Sequence, residues 1–463
     1  GSAEPTGQKA YRGHILGNGR FDLNDTYRTG FDLARATDAT YMRRYGFGGG
    51  GAGVGSASSA NELTTTAFVE GFSESNYGHI SGYTFQDIQA GANSSQTPLI
   101  LPLAQYNYFG APDLLGGRAS LDANALDLSR ETGADSRRIS LRPSWQIRDT
   151  SPLGFITNWT VALQADGYNV NNADLGNGTS FSGNTSRLFP QTMVDWRFPF
   201  AREHEGFTEV LAPVAGAVAA PNGNNPSRIP NEDSVAVDFD DTNLFSMSRY
   251  PGVDRVDGGQ RVVYGLQWGL YGHNGGSTSA FVGQSYSFQK HPEFGIGSGL
   301  EDNASDVVGR LRVSPNDYFD VLYRFRTDAS DGTFRRNEVS VGIGPPSFRL
   351  TNDYVFLRAQ PGQASQLAQL TNTNREQMDT GLTVGISDHW SIGARTINDL
   401  TAATGGPLFN SGSVTYTDDC LTVTTTVFRR YTSDRDLTPA TGFFVNFIFK
   451  YLGDFGSGAK PNS

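Results

Sequence analysis

The sequence predicts an all-β chain that forms a large antiparallel transmembrane β-barrel of the outer-membrane type. Aromatic residues make up 12% of the 463 residues, charged residues 18% and hydrophobic residues only 37%. Soluble domains carry about 25% charged residues. No segment approaches the roughly 18 consecutive apolar residues of a transmembrane helix. Side chains alternate with period two along most of the chain. Together these observations favour a β-barrel with a polar interior.

The segment 135–149 shows the alternation most clearly. Ile139 and Trp145 fall on one face of an extended strand, and Arg138 and Arg142 fall on the other. In hydrocarbon every backbone N–H and C=O needs a partner within the protein, so the strands must close into a barrel. One face must then contact lipid while the other lines a wet lumen, where arginine and aspartate are tolerated.

The same alternation recurs in about 21 segments, which indicates a barrel of over 20 strands. The predicted strands are 10–23, 25–36, 62–74, 77–90, 98–109, 116–131, 135–149, 152–170, 187–202, 206–219, 258–272, 278–290, 305–314, 317–327, 335–344, 346–359, 375–387, 389–398, 409–419, 420–431 and 442–452. Long connectors are predicted at 46–61, 171–186, 220–257 and 360–374, and tight turns at 315–316, 332 and 388. Short turns on one rim and long loops on the other are typical of outer-membrane barrels. We therefore expect one barrel domain at 10–456 and a disordered tail at 457–463.

Two soluble folds remain alternatives on this reasoning. A β-sandwich with aromatic core positions would also alternate, because each single segment carries only a weak barrel signal. A propeller would repeat about every 40–45 residues, and the sequence shows no repeat from blade to blade. A dry centre that holds the Phe, Trp and Val residues, with the arginines outside, would decide against the barrel.

Charge and cysteine content narrow the class of partner. The formal net charge is -11, and the sequence offers no basic stripe to neutralise phosphates, so a nucleic-acid partner is excluded. The single cysteine, Cys420, cannot form an internal disulfide. It is either a free thiol or the partner of a cysteine on a segment or chain outside this sequence.

The segment 220–257 is the best candidate for a functional element, because long connectors in a rigid scaffold often carry function. Apolar side chains are embedded in it at Phe239, Leu244 and Phe245. We expect a loop folded against or into the lumen; the alternative is an exposed loop stabilised by its own ion pairs. The candidate residues are Arg228, Asp233, Asp238, Asp240, Asp241, Arg249, Tyr250, Asp254 and Arg255.

No catalytic residue, cofactor or metal site is predicted. The six histidines form no HExxH arrangement and no GxSxG elbow is present. A Ser/His or Asp/His pair assembled across strands remains the enzyme alternative. Clustered carboxylates at Asp238, Asp240 and Asp241 could bind Ca²⁺, although their spacing does not match an EF-hand loop.

Several blocks of sequence resemble one known family. The segment 209–259 contains Ile229-Pro230-Asn231-Glu232-Asp233 and Arg249-Tyr250-x-Gly252-x-Asp254-Arg255. Asp22-Leu23-Asn24-Asp25 near the start and Tyr416-Thr417-Asp418-Asp419-Cys420 near the end agree with it. These blocks resemble the barrel domain of the outer-membrane lipopolysaccharide-assembly protein family, LptD.

The resemblance implies a function and a set of partners. Members take lipopolysaccharide from a periplasmic bridge of jelly-roll proteins and insert it into the outer leaflet of the outer membrane. Their barrel has 26 strands, follows a periplasmic jelly roll, and holds an LptE-type lipoprotein plug. The jelly roll has no counterpart in this sequence, and the count of about 21 strands implies that the first strands are missing as well. The alternative function is a passive outer-membrane porin or receptor barrel.

The resemblance also implies a lateral seam between the first and last strands, through which lipid tails leave the barrel. The seam strand is expected near the end of the chain, with Phe443, Val445, Phe447 and Phe449 on its apolar face. Cys420 lies where the family has the barrel-side partner of a disulfide to the jelly roll; a buried, unpaired thiol is the alternative.

Overall fold

The fold is one antiparallel β-sheet. A computed structural model describes residues 13–38, 42, 61–235, 237–290, 293–359, 374–401, 405–433, 438–450 and 453–456. Within these residues the sheet has 23 strands, and consecutive strands pair antiparallel except that β9 and β10 both pair with β11. The predicted all-β class and the count above 20 are confirmed. The predicted tail at 457–463 lies outside the described residues, and the single-domain assignment at 10–456 stays a prediction.

The strands are, in chain order, β1 (His14–Asp22), β2 (Tyr27–Ala36), β3 (Glu62–Phe72), β4 (Asn76–Asp87), β5 (Leu99–Pro112), β6 (Arg118–Ser129), β7 (Asp135–Thr150), β8 (Ile156–Asp174), β9 (Ser180–Arg197), β10 (Phe200–Glu203), β11 (Phe207–Ala219), β12 (Gln260–Gly272), β13 (Ser277–Ser287), β14 (Val307–Asn316), β15 (Phe319–Thr327), β16 (Phe334–Ile343), β17 (Phe348–Leu357), β18 (Arg375–Gly385), β19 (Trp390–Asp399), β20 (Gly406–Thr417), β21 (Leu421–Arg430), β22 (Ala440–Phe449) and β23 (Gly453–Gly456). The short 3₁₀ helix Ser94–Gln96 lies between β4 and β5. Among the described residues, no helix is long and apolar enough to cross a membrane.

One predicted connector is wrong. The segment 171–186 was expected to be a long loop, but β8 continues to Asp174 and β9 begins at Ser180. These two strands extend past the apolar band, where outward positions carry Asn169 and Asn184 in place of apolar side chains. Outside hydrocarbon the outward face needs no apolar residues, so a strand there resembles a loop in composition.

The connectors alternate in length along the chain. One rim of the sheet, the short-turn rim, holds connectors such as 113–117, 204–206 and 418–420. The opposite rim, the long-loop rim, holds 220–259 and 288–306. Outer-membrane barrels place short turns in the periplasm and long loops outside the cell. This rule orients the chain in the membrane.

The two faces of the sheet differ as the barrel hypothesis requires. On β7, Ile139 is 63% exposed, whereas its neighbour Arg138 is 4% exposed. On β9, Leu188 is 62% exposed, whereas Arg187 is 4% exposed. Apolar side chains therefore cover the outer face, and charged side chains are buried on the inner face. A soluble sandwich would show the reverse arrangement.

An aromatic belt marks the outer face near the short-turn rim. The rings of Trp145 and Trp159 meet edge to face, with centroids 5.8 Å apart. The ring centroid of Trp196 lies 6.3 Å from that of Phe155 and 6.0 Å from that of Phe198. Tryptophan and other aromatic residues favour the boundary between lipid and water, so the belt marks one membrane interface.

The sheet has two edges that lie far apart in the sequence. Within the described residues, β1 forms its ladder with β2, and β22 forms ladders with β21 and, over 446–449, with β23. One edge is thus β1, and the other is formed by β23 and by the part of β22 that β23 does not cover. Backbone groups on such edges are the natural place for a sheet to open or to close.

The outward face can be tested with one charged residue. Val161→Arg on β8 places a cation among lipid tails and should lower the free energy of unfolding by about 2–4 kcal/mol. Thr160→Arg, one residue away on the inner face, should change it by less than about 1 kcal/mol, because the lumen is wet. Urea unfolding of the protein in liposomes measures both values. Equal losses in the two variants would contradict the assignment of faces.

Candidate functional site: a loop bound to the inner wall

The segment 220–259 lies against the inner face of the sheet and is here called the inner loop. Its polar contacts reach wall strands from β7 to β16. The wall residues that hold it alternate with the outward apolar residues along each strand. Period-two geometry therefore creates the binding surface, because it turns every second side chain inward.

Arg138 on β7 is the centre of the first attachment. Its Nη1 donates to Asp254 Oδ1 at 2.6 Å and to Asp233 Oδ2 at 2.7 Å. Its Nη2 donates to Asn124 Oδ1 at 2.8 Å, and the Tyr168 hydroxyl donates to Asp254 Oδ1 at 3.0 Å. The side chains of Arg138 and Asp254 are both 3% exposed. The structure thus brings two of the predicted loop residues onto one buried arginine.

The same two carboxylates fix the backbone of the inner loop. Asp254 Oδ2 accepts the N–H groups of Glu232 and Asp233 at 2.8 and 3.2 Å. Asp233 Oδ1 accepts those of Val253 and Asp254 at 3.1 and 3.0 Å. Burial raises the pKa of Asp254 against the opposing effect of Arg138. Burial also opposes ionisation of Asp233, but Arg138 and the two backbone N–H groups lower its pKa overall.

A second attachment holds backbone carbonyl groups. Arg187 on β9 pairs with Asp166 on β8 at 2.5 Å, and both side chains are buried. Arg187 Nη2 and Nη1 donate to the carbonyl oxygens of Val253 and Asp254 at 2.5 and 2.9 Å. Gln164 Nε2 donates to the Val253 carbonyl at 3.1 Å. Buried carbonyl groups of the loop are thereby satisfied by the wall.

A third attachment joins the end of the inner loop to β12. Arg249 Nε donates to Asp257 Oδ2 at 2.7 Å, and Arg261 Nη1 lies 3.3 Å from the same oxygen. Arg261 Nη2 donates to the carbonyl oxygens of Ser246 and Met247 at 2.7 and 2.9 Å. One wall arginine therefore holds two separate stretches of the loop.

The remaining predicted loop residues contact different partners. Arg228 lies over the Phe181 ring at 5.1 Å, and Arg255 Nη1 donates to the Ile229 carbonyl at 2.9 Å. Asp240 Oδ1 accepts the Thr242 N–H at 2.8 Å in a local turn. Arg228 therefore contacts the wall strand β9, whereas Arg255 and Asp240 stabilise the loop itself.

Asp238, Asp240 and Asp241 are close in sequence, but their side chains contact different partners. Asp238 pairs with Arg336 on β16 at 2.5 Å. Asp241 lies 3.2 Å from Arg310 and 3.6 Å from Arg324, and burial raises its pKa. In the part of the chain that is described, no three His, Cys, Asp or Glu side chains converge as metal ligands. The Ca²⁺ alternative therefore has no support in the arrangement of these carboxylates.

An apolar cluster packs beneath the inner loop. Phe239 and Leu244 of the loop are fully buried against Val263, Phe281 and Val308 of the wall. The cluster also takes in Phe294 and Leu300, which belong to the connector 288–306, here called the second loop. Tyr250 stacks on Phe294 with ring centroids 5.2 Å apart. The two loops thus share one apolar core and form a single lid on the inner wall.

The wall also holds the second loop through arginines. Arg326 on β15 donates to the carbonyl oxygens of Ser298 and Gly297 at 3.0 and 3.3 Å. Asp306 lies 3.3 Å from Arg335 and 3.5 Å from Arg326. Burial raises the pKa of Asp306 to about 6, against the effect of both arginines.

The predicted seam strand and the cysteine lie away from the lid. On β22, Phe443, Phe447 and Phe449 are exposed on the outer face and Val445 is half-buried. Cys420 is exposed in the turn between β20 and β21, on the short-turn rim. The thiol is therefore not buried, and the alternative of a buried, unpaired thiol is wrong.

Comparison with known proteins decides the family. The family model described as LPS transport system D matches residues 11–390. The chain belongs to this family. It is 25% identical to the LPS-assembly protein LptD of Saccharophagus degradans, over 99% of this chain and 55% of that protein. It is 25% identical to the protein of the same name from Polaromonas sp., over 83% of this chain and 46% of that protein. The chain spans about half the length of the curated relatives it matches.

Among solved structures, the siderophore receptor PirA of Acinetobacter baumannii has a TM-score of 0.42 at 7% identity. The match covers 84% of this chain and 72% of that receptor. A ferric enterobactin receptor of Pseudomonas aeruginosa has a TM-score of 0.41 at 10% identity, over 96% of this chain and 75% of that receptor. Membership of the LptD family and the outward apolar face place the chain in the bacterial outer membrane.

Sequence reasoning missed the wall residues and the second loop. The alternation places Arg138 and Arg326 on the polar faces of their strands, but it does not single out Arg187 or Arg261. Each occupies an inward position of a predicted strand, which is the signal that could have found them. The second loop carries Phe294 and Leu300 in a glycine-rich connector, which is the same combination that marked the inner loop.

Removal of Arg138 tests the first attachment. Arg138→Met leaves the buried carboxylate of Asp254 and the partly exposed one of Asp233 without their cation, and loss of the buried partner costs about 3–5 kcal/mol. We expect trypsin to cleave the inner loop at least tenfold faster, and large antibiotics to enter the cells more readily. Arg137→Met is the matched control, because the Arg137–Asp127 pair is exposed on the outer face. Equal cleavage rates in both variants would show that Arg138 does not hold the loop.

Acidity should strengthen the attachment of the second loop. The pKa of Asp306 is about 6 in the folded protein and ordinarily 3.8, so its ionisation disfavours the folded state. Stability therefore rises as the pH falls from 7 through 6 toward 4, by at most about 3 kcal/mol. Hydrogen exchange of residues 297–306, corrected for intrinsic rates, should slow between pH 7 and pH 5. In Asp306→Asn this slowing should disappear; an unchanged pH profile would contradict the role of Asp306.

Proposed function

We propose that this chain is the barrel part of a lipopolysaccharide-assembly protein, which inserts lipopolysaccharide into the outer leaflet through its lumen and a lateral seam. The observation that carries the proposal is a polar inner face in a chain of the LptD family. Phosphorylated sugars need a hydrated, hydrogen-bonding path, whereas the acyl chains need hydrocarbon. A barrel whose wall can part supplies both environments to one molecule.

Two features of the sheet support the seam. The edge strands β1 and β22 each form their long ladder on one side, with β2 and β21 respectively. β1 is exposed on both faces and contains Gly17 and Gly19, which offer little side-chain packing to a neighbour. A junction between such edges costs less to open than one inside the sheet.

The position of the lid indicates that the lumen is filled on one side only. The lid covers wall strands from β7 to β16 and leaves the inner face of the strands beside both edges to other contents. We infer that an LptE-type lipoprotein plug occupies this remaining part. A periplasmic jelly-roll protein would feed the lumen from the short-turn rim, where the exposed Cys420 can reach a cysteine of a periplasmic domain.

The proposed reaction requires no catalytic residue. Transfer of an intact lipid breaks no covalent bond, so neither a nucleophile nor a cofactor has a role in it. The chain would act by binding, by hydration of the lumen and by opening of the seam.

Locking the seam tests the proposal. Cysteine pairs between residues 15–19 of β1 and 441–445 of β22, in the full-length protein with its lipoprotein, should block lipopolysaccharide insertion into liposomes when oxidised. Reduction should restore it. The matched control joins Ala394→Cys to Gly412→Cys, which are directly paired in the β19–β20 ladder. Normal insertion by an oxidised β1–β22 pair would refute the seam, and conductance independent of the lipoprotein would favour a passive porin.

A further inference from the structure

The backbone ladder between β2 and β3 stops halfway along the two strands. It pairs residues 27–32 with residues 66–71, at the short-turn end of both strands. β2 continues through 33–36, where it is still paired with β1, and β3 begins with 62–65, which are paired with β4. The structure describes both segments, and in it no residue of 33–36 pairs with a residue of 62–65. The wall therefore lacks backbone hydrogen bonds at the long-loop end of this junction.

Two side chains bind the unpaired end of β2, and together they are here called the latch. The Thr65 hydroxyl on β3 accepts the Ala34 N–H at 3.1 Å and donates to the Ala34 carbonyl at 3.0 Å. The Gln86 carboxamide on β4 accepts the Ala36 N–H at 2.9 Å and donates to the Ala36 carbonyl at 2.8 Å. The latch thus satisfies four backbone groups that a neighbouring strand would otherwise satisfy.

The latch lies on the outer face of the wall. Val69 on β3 and Ile80 on β4 are directly paired, and both are exposed on the outer face. Thr65 is an even number of residues from Val69, and Gln86 is an even number from Ile80, so both latch side chains point outward. The end of β2 therefore lies over the outer face of β3 and β4, outside the plane of the wall.

A small apolar cluster shows the same overlap independently. Leu63 occupies an outward position of β3 but is only 1% exposed, and Ile88, just beyond β4, is fully buried. Both are covered by Ala34 of β2 and by Met42 of the connector that follows β2. Outward apolar side chains elsewhere in the wall, such as Ile139, are exposed. Something lies outside the wall at Leu63, and it is the end of the first hairpin.

Glycines lie where the hairpin leaves the wall. Gly17 of β1 is directly paired with Leu33, the first residue of β2 beyond the ladder. A Cβ added at Gly30 would lie 2.7 Å from the Gly19 carbonyl oxygen and 2.7 Å from the Phe68 ring. Glycine inside a strand marks a bend or a close approach of backbone, and both occur here. These positions form the hinge of a flap, which consists of residues 14–17 and 33–36.

We propose that this flap has two docked positions, one lapped over the outer face and held by the latch, the other in the plane of the wall. In the plane, 33–36 would extend the ladder to 62–65 in the same register. Two of the four added pairs would be hydrogen-bonded pairs with two bonds each, so four bonds replace the four of the latch. Leu63 would then face lipid, which is as apolar as the cluster it leaves. The two positions therefore differ little in free energy.

The flap carries the edge of the sheet with it. β1 is paired with β2 along its whole length, so it follows the end of β2 outward. In the lapped position the long-loop end of β1 is displaced from the wall, and the seam with β22 is parted at the outer-leaflet end. In the plane, β1 lies in line with the wall and the seam can close. This role rests on the proposed function, which it deepens by naming the element that opens the seam.

Disulfide trapping in the full-length protein with its lipoprotein distinguishes the two positions. Ala34→Cys with Leu63→Cys joins two residues of the buried cluster and records the lapped position. Ala34→Cys with Thr64→Cys records the in-plane position, because the Thr64 side chain points inward, away from the lapped flap. Peptide mass spectrometry of the oxidised protein identifies each bond. We expect a disulfide in both variants; absence of the 34–64 bond would overturn the proposal.

Weakening the latch should shift the flap into the plane. Thr65→Val keeps the shape of the side chain but removes two hydrogen bonds, so the 34–64 bond should form at least tenfold faster. Thr380→Val is the matched control, because the Thr380 hydroxyl on β18 accepts a hydrogen bond from the Asn352 side chain and holds no strand end. Heat-modifiable mobility verifies that both variants are folded. Equal rates in the two variants would refute the latch.

The two locks have opposite expected effects on transport. The oxidised 34–64 variant should insert lipopolysaccharide into liposomes at least tenfold more slowly than its reduced form, because β1 is held in the wall. The oxidised 34–63 variant should insert it as fast as its reduced form. Equal slowing by both locks would refute the lapped position as the open one.

The trapping and transport measurements separate the two proposals. If both bonds form but the reduced proteins insert no lipopolysaccharide, the proposed function alone is refuted. If the reduced proteins insert it and neither lock changes the rate, the role of the flap is refuted and the proposed function stands.

Discussion

The constraint on which this structure depends is the alternation of side chains in a sheet whose outer face meets hydrocarbon. Backbone groups are satisfied by ladders, so the side chains alone must suit lipid on one face and water on the other. On β7 this places Ile139 and Leu141 outward and Arg138 inward. Charged residues can then be buried only if something covers the inner face. The lid is therefore a consequence of the same alternation that builds the wall.

The buried ion pairs of the lid act mainly as positioning devices. A buried pair recovers roughly the free energy that desolvation costs, so Arg138 with Asp254 adds little net stability. The carboxylate of Asp254, however, also accepts two backbone N–H groups. Arg187 likewise donates to two backbone carbonyl groups. A shifted loop would leave several of these groups buried without partners, at about 1–3 kcal/mol each. The apolar cluster around Phe239 supplies the stability, and the polar contacts fix the register.

The sequence predicts the wall far better than the lid. Each strand from β11 to β22 begins and ends within a few residues of a predicted segment, because period two leaves a direct record in the sequence. The extension of β8 to Asp174 escaped prediction, since outward residues beyond the membrane need not be apolar. The partners of the inner loop depend on which inward arginine lies next to which carboxylate. That choice is set by register and loop path, so Asp254 could be singled out from the sequence but its contact with Arg138 could not.

The distribution of the lid has a mechanical consequence for any seam between β1 and β22. The region from β7 to β16 is held together in two ways, by the ladders between its strands and by the lid. For example, Arg261 on β12 binds the inner loop and Arg326 on β15 binds the second loop, and the two loops share one apolar core. Strands near the edges are joined by their ladders and, at β2 and β3, by a small apolar cluster of Ala34, Met42, Leu63 and Ile88. An outward displacement of the edges would therefore spread into β1 to β5 and β17 to β22 before it strained the lid. In the proposed function, the seam would therefore open and close while the lid still covers the long-loop rim of the other half of the sheet.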